Sequence, residues 1–132
     1  MAGLLIEYIG NKLNNAAAVT ALVNTADISY GLRPQQTDTL PAINYFEVDK
    51  AVSDRAVVGT YEYQISCRAA DLKTTHQVAD AVETALANLV SAAESVDVQA
   101  TELRSAVTVP EPEIDAYHIA ITMAFVVLSD TA

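Results

Sequence analysis

Thr60-Tyr61-Glu62-Tyr63-Gln64-Ile65-Ser66-Cys67-Arg68 alternates without a break. Within the run 56–68, Val57, Tyr61, Tyr63, Ile65 and Cys67 fall on one side, and Thr60, Glu62, Gln64, Ser66 and Arg68 on the other. Successive side chains of a strand point to opposite faces, so the pattern predicts a long strand with one face in a core. After Ala69-Ala70-Asp71 the period changes. Val78, Val82, Ala85, Leu86 and Leu89 recur at helical spacing, which predicts a helix over 75–90. Thr74 and Gln77 have the spacing of a capping box at its start. Burying each large member of that stripe is worth about 1.5–3 kcal/mol, so the helix packs on the sheet.

Working outward, a second alternating run closes the chain. Tyr117, Ile119, Ile121, Met123, Phe125 and Val127 share one face, with Ala116, His118, Ala120, Thr122, Ala124 and Val126 on the other. Before it lies a more polar strand over 96–108, carrying Val98, Thr101, Leu103 and Val107. The two are separated by Pro110-Glu111-Pro112-Glu113, a turn that no central strand could accommodate. Upstream, Ile43, Tyr45, Phe46 and Val48 predict a strand over 42–48, and the charged stretch 49–55 reads as an exposed hairpin connection. A short extended piece at 28–30 leads into a polar loop containing Pro34 and Pro41. At the N-terminus Leu5, Ile9 and Leu13, with Leu4 and Tyr8 beside them, make an amphipathic helix. Asn14 and Asn15 can cap a second helical segment over 16–23, with Val19, Leu22 and Val23 as its apolar positions. The order α, α, β, β, α, β, β predicts an α+β fold. Its mostly antiparallel sheet has about four strands, with the N-terminal helices and one long helix packed on it, in a single domain over 1–132.

Composition narrows the function classes. The chain has 132 residues, with seven basic against seventeen acidic side chains and a formal charge of -10. Affinity for nucleic acid rests on Lys and Arg neutralising phosphates, so this balance disfavours sequence-independent binding to DNA or RNA. It disfavours anionic lipid surfaces for the same reason. One cysteine rules out an intrachain disulfide framework and a cysteine-based zinc site. The most apolar stretch, 116–128, is too short for a membrane helix. Glu7 follows the first apolar residues at once and no basic region precedes them, so no secretory signal is expected.

Catalytic motifs are absent from the sequence. Gly3, Gly10, Gly31 and Gly59 stand apart from one another, and none belongs to a dinucleotide fingerprint or a P-loop. Cys67 could act as a nucleophile with His76 or His118 as base, but it shares the Tyr61/Tyr63/Ile65 face, where a cysteine behaves as a small hydrophobe. His118 reads as a structural or interface histidine, and His76 as a solvated residue in the first turn of its helix. Two histidines without ligand spacing make no metal site, and Glu111, Glu113 and Asp115 lack the spacing of a calcium loop. No cofactor is expected. The tyrosines are structural, with Tyr61, Tyr63 and Tyr117 on core faces.

One feature is unusual for a sheet with a solvated side. The second face of the final strand (Ala116, His118, Ala120, Thr122, Ala124, Val126) carries no charge that is fixed at neutral pH. Either the N-terminal helices cover it or another subunit does.

The layout resembles a known family. A short helical N-terminus precedes a Gly-x-x-Pro loop (Gly31, Pro34) and Leu40-Pro41-Ala42-Ile43-Asn44-Tyr45. A long strand then runs into Ala69-Ala70-Asp71 and the helix Val78-Ala79-Asp80-Ala81-Val82-Glu83-Thr84-Ala85-Leu86, and a strand pair closes the chain. This resembles the tail-terminator family of long-tailed bacteriophages, also called tail-completion or head–tail joining proteins, over residues 4–128. The turn at 110–113 is more acidic and proline-rich than the family pattern, and the last strand lacks an aromatic ending.

The resemblance implies a structural virion protein without a catalytic residue. It would form a homohexameric ring at the tail–neck junction, assembled in the host bacterial cytoplasm. The ring would stop polymerisation of the tail tube, contact the tube protein and a neck or head-completion protein, and let DNA pass through its lumen. The negative charge suits such a passage, because acids there, Glu111 and Glu113 among the candidates, would repel the duplex. Under this reading His118, Ala120, Thr122 and Ala124 belong to the subunit interface. Arg33, Gln35 and Gln36 in one loop, and Asp49, Lys50, Asp54 and Arg55 in another, would contact the tube or neck. The alternatives are a small ligand-binding or enzymatic domain using Cys67 and His118, and an acidic protein-interaction module.

Overall fold

A computed structural model of the chain describes residues 2–31, 40–52, 58–87, 98–111 and 116–128. The elements follow the order α1 (Ala2–Asn15), α2 (Ala17–Thr20), a 3-10 turn at Thr25–Asp27, β1 (Ile28–Tyr30), β2 (Ala42–Val52), β3 (Val58–Ala69), α3 (Leu72–Ala87), β4 (Val98–Glu111) and β5 (Ala116–Leu128). The fold is α+β, as the periodicities predict, but its sheet has five strands rather than about four, in the order β1-β2-β3-β5-β4. The additional strand is the short piece 28–30, which pairs in parallel with residues 43–45 of β2. All other neighbours are antiparallel. Three residues are too few to show a strand period, so only pairing could define this element.

The alternation in β3 and β5 is used as read. Tyr61, Tyr63, Ile65 and Cys67 stand opposite Phe125, Met123, Ile121 and Ile119, and all eight are buried. Against this face lie Leu5, Tyr8, Ile9 and Leu13 of α1, Val19 of α2, Val23, and Val78, Val82 and Leu86 of α3. All three helices therefore occupy one side of the sheet. Tyr63 and Phe125 meet edge to face, with ring centroids 6.0 Å apart. Tyr45 ties α1 down, its hydroxyl donating to the Ile6 carbonyl at 3.1 Å. Gly10 permits this close approach, since a Cβ there would fall 2.6 Å from the Tyr45 hydroxyl.

Local starts and stops differ from the sequence expectations in ways that hydrogen bonding explains. Helix α3 begins at Leu72, three residues early, because Asp71 and not Thr74 caps it. The Asp71 carboxylate accepts from the Thr74 backbone N–H at 2.7 Å and from its hydroxyl at 2.9 Å. Those two donors hold the Asp71 pKa below its ordinary value. Asn14 and Asn15 end α1 instead of capping α2, whose N-cap is Ala16. Residues 49–52, expected in a connection, continue β2 beyond a bulge between Glu47 and Asp49. β4 likewise runs through Pro110 to Glu111. That is possible because β4 is an edge strand, where a missing N–H leaves no neighbour unpaired. Tyr117, assigned to the core by parity, is 39% exposed at the start of β5.

Candidate assembly surface

The second face of the sheet settles one of the open alternatives. The N-terminal helices lie with α3 on the opposite side, so they do not cover it. Across this face, on which no helix lies among the described residues, the rows run Phe46–Gln64–Thr122–Ser105, Asn44–Ser66–Ala120–Val107 and Glu62–Ala124–Glu102. The uncharged stripe of β5 is thus a valley between longer side chains. Ala124 is 1% exposed and His118 8%, while Ala120 and Thr122 are partly buried. The accessible apolar groups lie one strand further out, where Val107 is 53% and Val109 39% exposed.

β4 is the outermost strand, and the described side chains from Glu102 to Val109 are exposed on both of its faces. Leu103, on the helix side by its pairing with Met123, is 47% exposed. Sequence reading found a polar strand there. It includes Leu103 and Val107 but not their exposure, because nothing in a strand's own alternation tells whether its inner face reaches the helices.

A polar network organises this face toward β1. Asn44, 2% exposed, donates from Nδ2 to the Gly31 carbonyl at 2.9 Å and accepts from Arg68 Nη1 at 2.6 Å. Gly31 has φ +97°, a backbone conformation that side-chain-bearing residues rarely take, and its N–H donates to the Tyr45 carbonyl at 2.9 Å. Nothing in the sequence announces this arrangement, since Asn44 and Arg68 are 24 positions apart.

Of the contact residues expected from loops, Asp49 and Lys50 are exposed on β2. Arg33, Gln35, Gln36, Asp54 and Arg55 lie outside the described residues, as do Glu113 and Asp115. Cys67 is fully buried beside Ile43 and Ile119. Loss of water pushes its thiol up to about 12, with Glu83 adding to the effect and Arg68 opposing it. A thiolate nucleophile is therefore suppressed at neutral pH. His118 faces the opposite side of the sheet from Cys67, so the two do not form a pair. Among the described residues no group of three His, Cys, Asp or Glu side chains could hold a metal ion, and no helix is long and apolar enough to cross a membrane.

Burial also determines the alkaline behaviour. The Tyr45 and Tyr63 hydroxyls are pushed above their ordinary value of 10.0, foremost by desolvation; Tyr30 adds to it for Tyr45, and Glu47 for Tyr63. The folded chain thus keeps protons that the unfolded chain releases from about pH 9 upward. The stability Cys67 contributes is complete below its unfolded value of 9.0 and is lost as pH rises toward its folded value of about 12, while that of Tyr45 and Tyr63 is complete below 10.0 and is lost above it. Urea midpoints should stay level from neutral pH to about 8.5 and fall beyond it, with the first part of the fall missing in Cys67→Ala. Iodoacetamide should label Cys67 in urea and leave the native chain unlabelled.

The fold and surface define a class: an α+β domain whose sheet, among the described residues, carries helices on one side only and ends in a strand with exposed side chains. Residues 7–128 match the family described as Tail completion protein gp17, and the chain belongs to that family. It is accordingly a phage tail-completion protein, a structural component of the virion, which implies a non-enzymatic role. No curated protein matches it in sequence. Among solved structures it resembles a chain of the "Virion of native gene transfer agent (GTA) particle", with a TM-score of 0.67 and 19% identity over 91% of each chain. That likeness is one of fold.

Proposed function

We propose that the protein forms a ring, hexameric by family resemblance, at the head-proximal end of a tail tube. There it ends tube polymerisation and joins the tail to the neck. Family membership across residues 7–128 is the observation that carries this reading. The sheet face that no described helix covers and the exposed β4 strand support it, because a domain that acts by docking must present surface that its own core does not use. The net charge of -10 supports a lumen that DNA traverses without sticking. Tube and neck proteins are the partners of this reading.

Negative-stain electron microscopy of the purified chain, alone and with tail tubes, tests it. Rings with a central hole, and density capping one end of each tube, are expected. Bare tubes that continue to lengthen in the presence of the protein overturn the reading.

A further inference from the structure

We infer that copies of this chain join edge to edge, the outer side of β4 in one copy pairing with the outer side of β2 in the next. The inference deepens the ring reading and rests on it only for the number of copies. It starts from the two edges of the sheet. β4 spans Val98–Glu111 and ends the sheet on one side. On the other side β1 meets only residues 43–45 of β2, so among the described residues no strand lies against 46–52. Unpaired strand edges are templates for pairing with another chain.

Strand direction selects the partner. β2 is antiparallel to β3, β3 to β5 and β5 to β4, so β2 and β4 run in opposite senses. Rotation about an axis along the strands preserves both senses and brings β4 of one copy against β2 of the next as an antiparallel pair. Such a contact uses two different surfaces, and repeated rotation closes it into a ring.

Charge and face select the register. Arg104 lies 3.5 Å from Glu102, which pairs with Ala124 on the face away from the helices. Asp49 pairs with Glu62 on that same face. Setting Arg104 opposite Asp49 of the next copy joins unlike charges there. The same register sets Leu103 opposite Lys50, both on the helix side, since they pair with Met123 and Tyr61 in their own sheet. The aliphatic stem of Lys50 then covers the exposed Leu103 side chain, as long cationic residues do at apolar rims. A second copy pairs the edge, adds an opposite charge beside Arg104 and Asp49, which in one copy meet Glu102 and the Lys50 N–H, and covers the exposed leucine.

The test is a charge exchange with a cross-link. Arg104→Asp and Asp49→Arg should each abolish oligomers in native mass spectrometry, and the double variant should regain them, while circular dichroism stays unchanged throughout. Mixing Leu103→Cys with Lys50→Cys under mild oxidation should give a disulfide dimer that neither variant gives alone, since Cys67 is buried. Oligomers that persist in both single charge variants, with no mixed disulfide, overturn edge pairing and leave the ring standing. A wild-type chain that stays monomeric at every concentration, and also on tail tubes, overturns both.

Discussion

Phe125→Ala should lower the unfolding free energy by about 3–5 kcal/mol, measured as a fall in urea midpoint at constant slope. Phe125 is fully buried near the middle of the sheet, pairing with Tyr61 on one side and Thr101 on the other. Its ring also meets Tyr63 edge to face, an arrangement worth about 0.5–1.5 kcal/mol beyond buried area. Removing it leaves a void that the surrounding strands can fill only partly, because β3 and β4 are held by ladders on either side of β5. The loss is a large share of the about 5–15 kcal/mol typical of a domain. Val107→Ala, on the exposed edge, should change stability by no more than about 0.5 kcal/mol. The two substitutions separate residues that hold the fold from residues available for assembly. If Val107→Ala proved as costly as Phe125→Ala in the isolated chain, the exposed position of β4 would be wrong.

Asn44→Ala should cost about 1.5–3 kcal/mol, the range for a buried hydrogen bond that involves a charged partner. The amide joins three elements: its own strand β2, Arg68 of β3, and Gly31 at the end of β1. Without it the Arg68 guanidinium and the Gly31 carbonyl each lose their bond to this amide, and alanine can replace neither. The damage should be directional. β1 is held to β2 by a three-residue ladder and by the Gly31 and Asn44 bonds, so hydrogen exchange at Gly31, whose N–H donates to Tyr45, should accelerate far more than at Ile65 or Ile121. Uniform acceleration across the sheet would show that Asn44 supports the whole domain instead of pinning its edge. Asn44→Asp keeps the acceptor for Arg68 and loses the donor to Gly31, so it should release β1 while retaining the β2–β3 contact.

These contrasts divide what is legible in the chain from what is not. The core halves of β3 and β5 are readable because a strand buried on one face must alternate, and Tyr61 to Cys67 and Ile119 to Val127 do so. The α1 and α3 stripes are readable for the equivalent helical reason, and Leu5, Ile9, Leu13, Val78, Val82 and Leu86 are all fully buried. Cys67 could be assigned to the core by its parity alone. The cap of α3 was misplaced because Asp71 and Thr74 are both cap-forming residues, and only hydrogen-bond geometry decides between them.

The surface relevant to assembly was legible only in outline. An uncharged stripe on β5 was visible, but its depth was not: Ala124 and His118 are buried, with Glu62 and Glu102 beside the one and Arg68 and Val109 beside the other, and only register creates those neighbours. Periodicity along a chain records which side of each element meets apolar surroundings, and that by itself determined the α+β class, the helix and strand faces and the inert cysteine. It carries no record of which strands become neighbours, which strand ends at the edge, or which sheet face the helices choose. Those depend on contacts between residues distant in sequence. Tertiary structure therefore decided the five-strand order, the Asn44 network, the sheet face that the described helices choose and the exposed β4 strand.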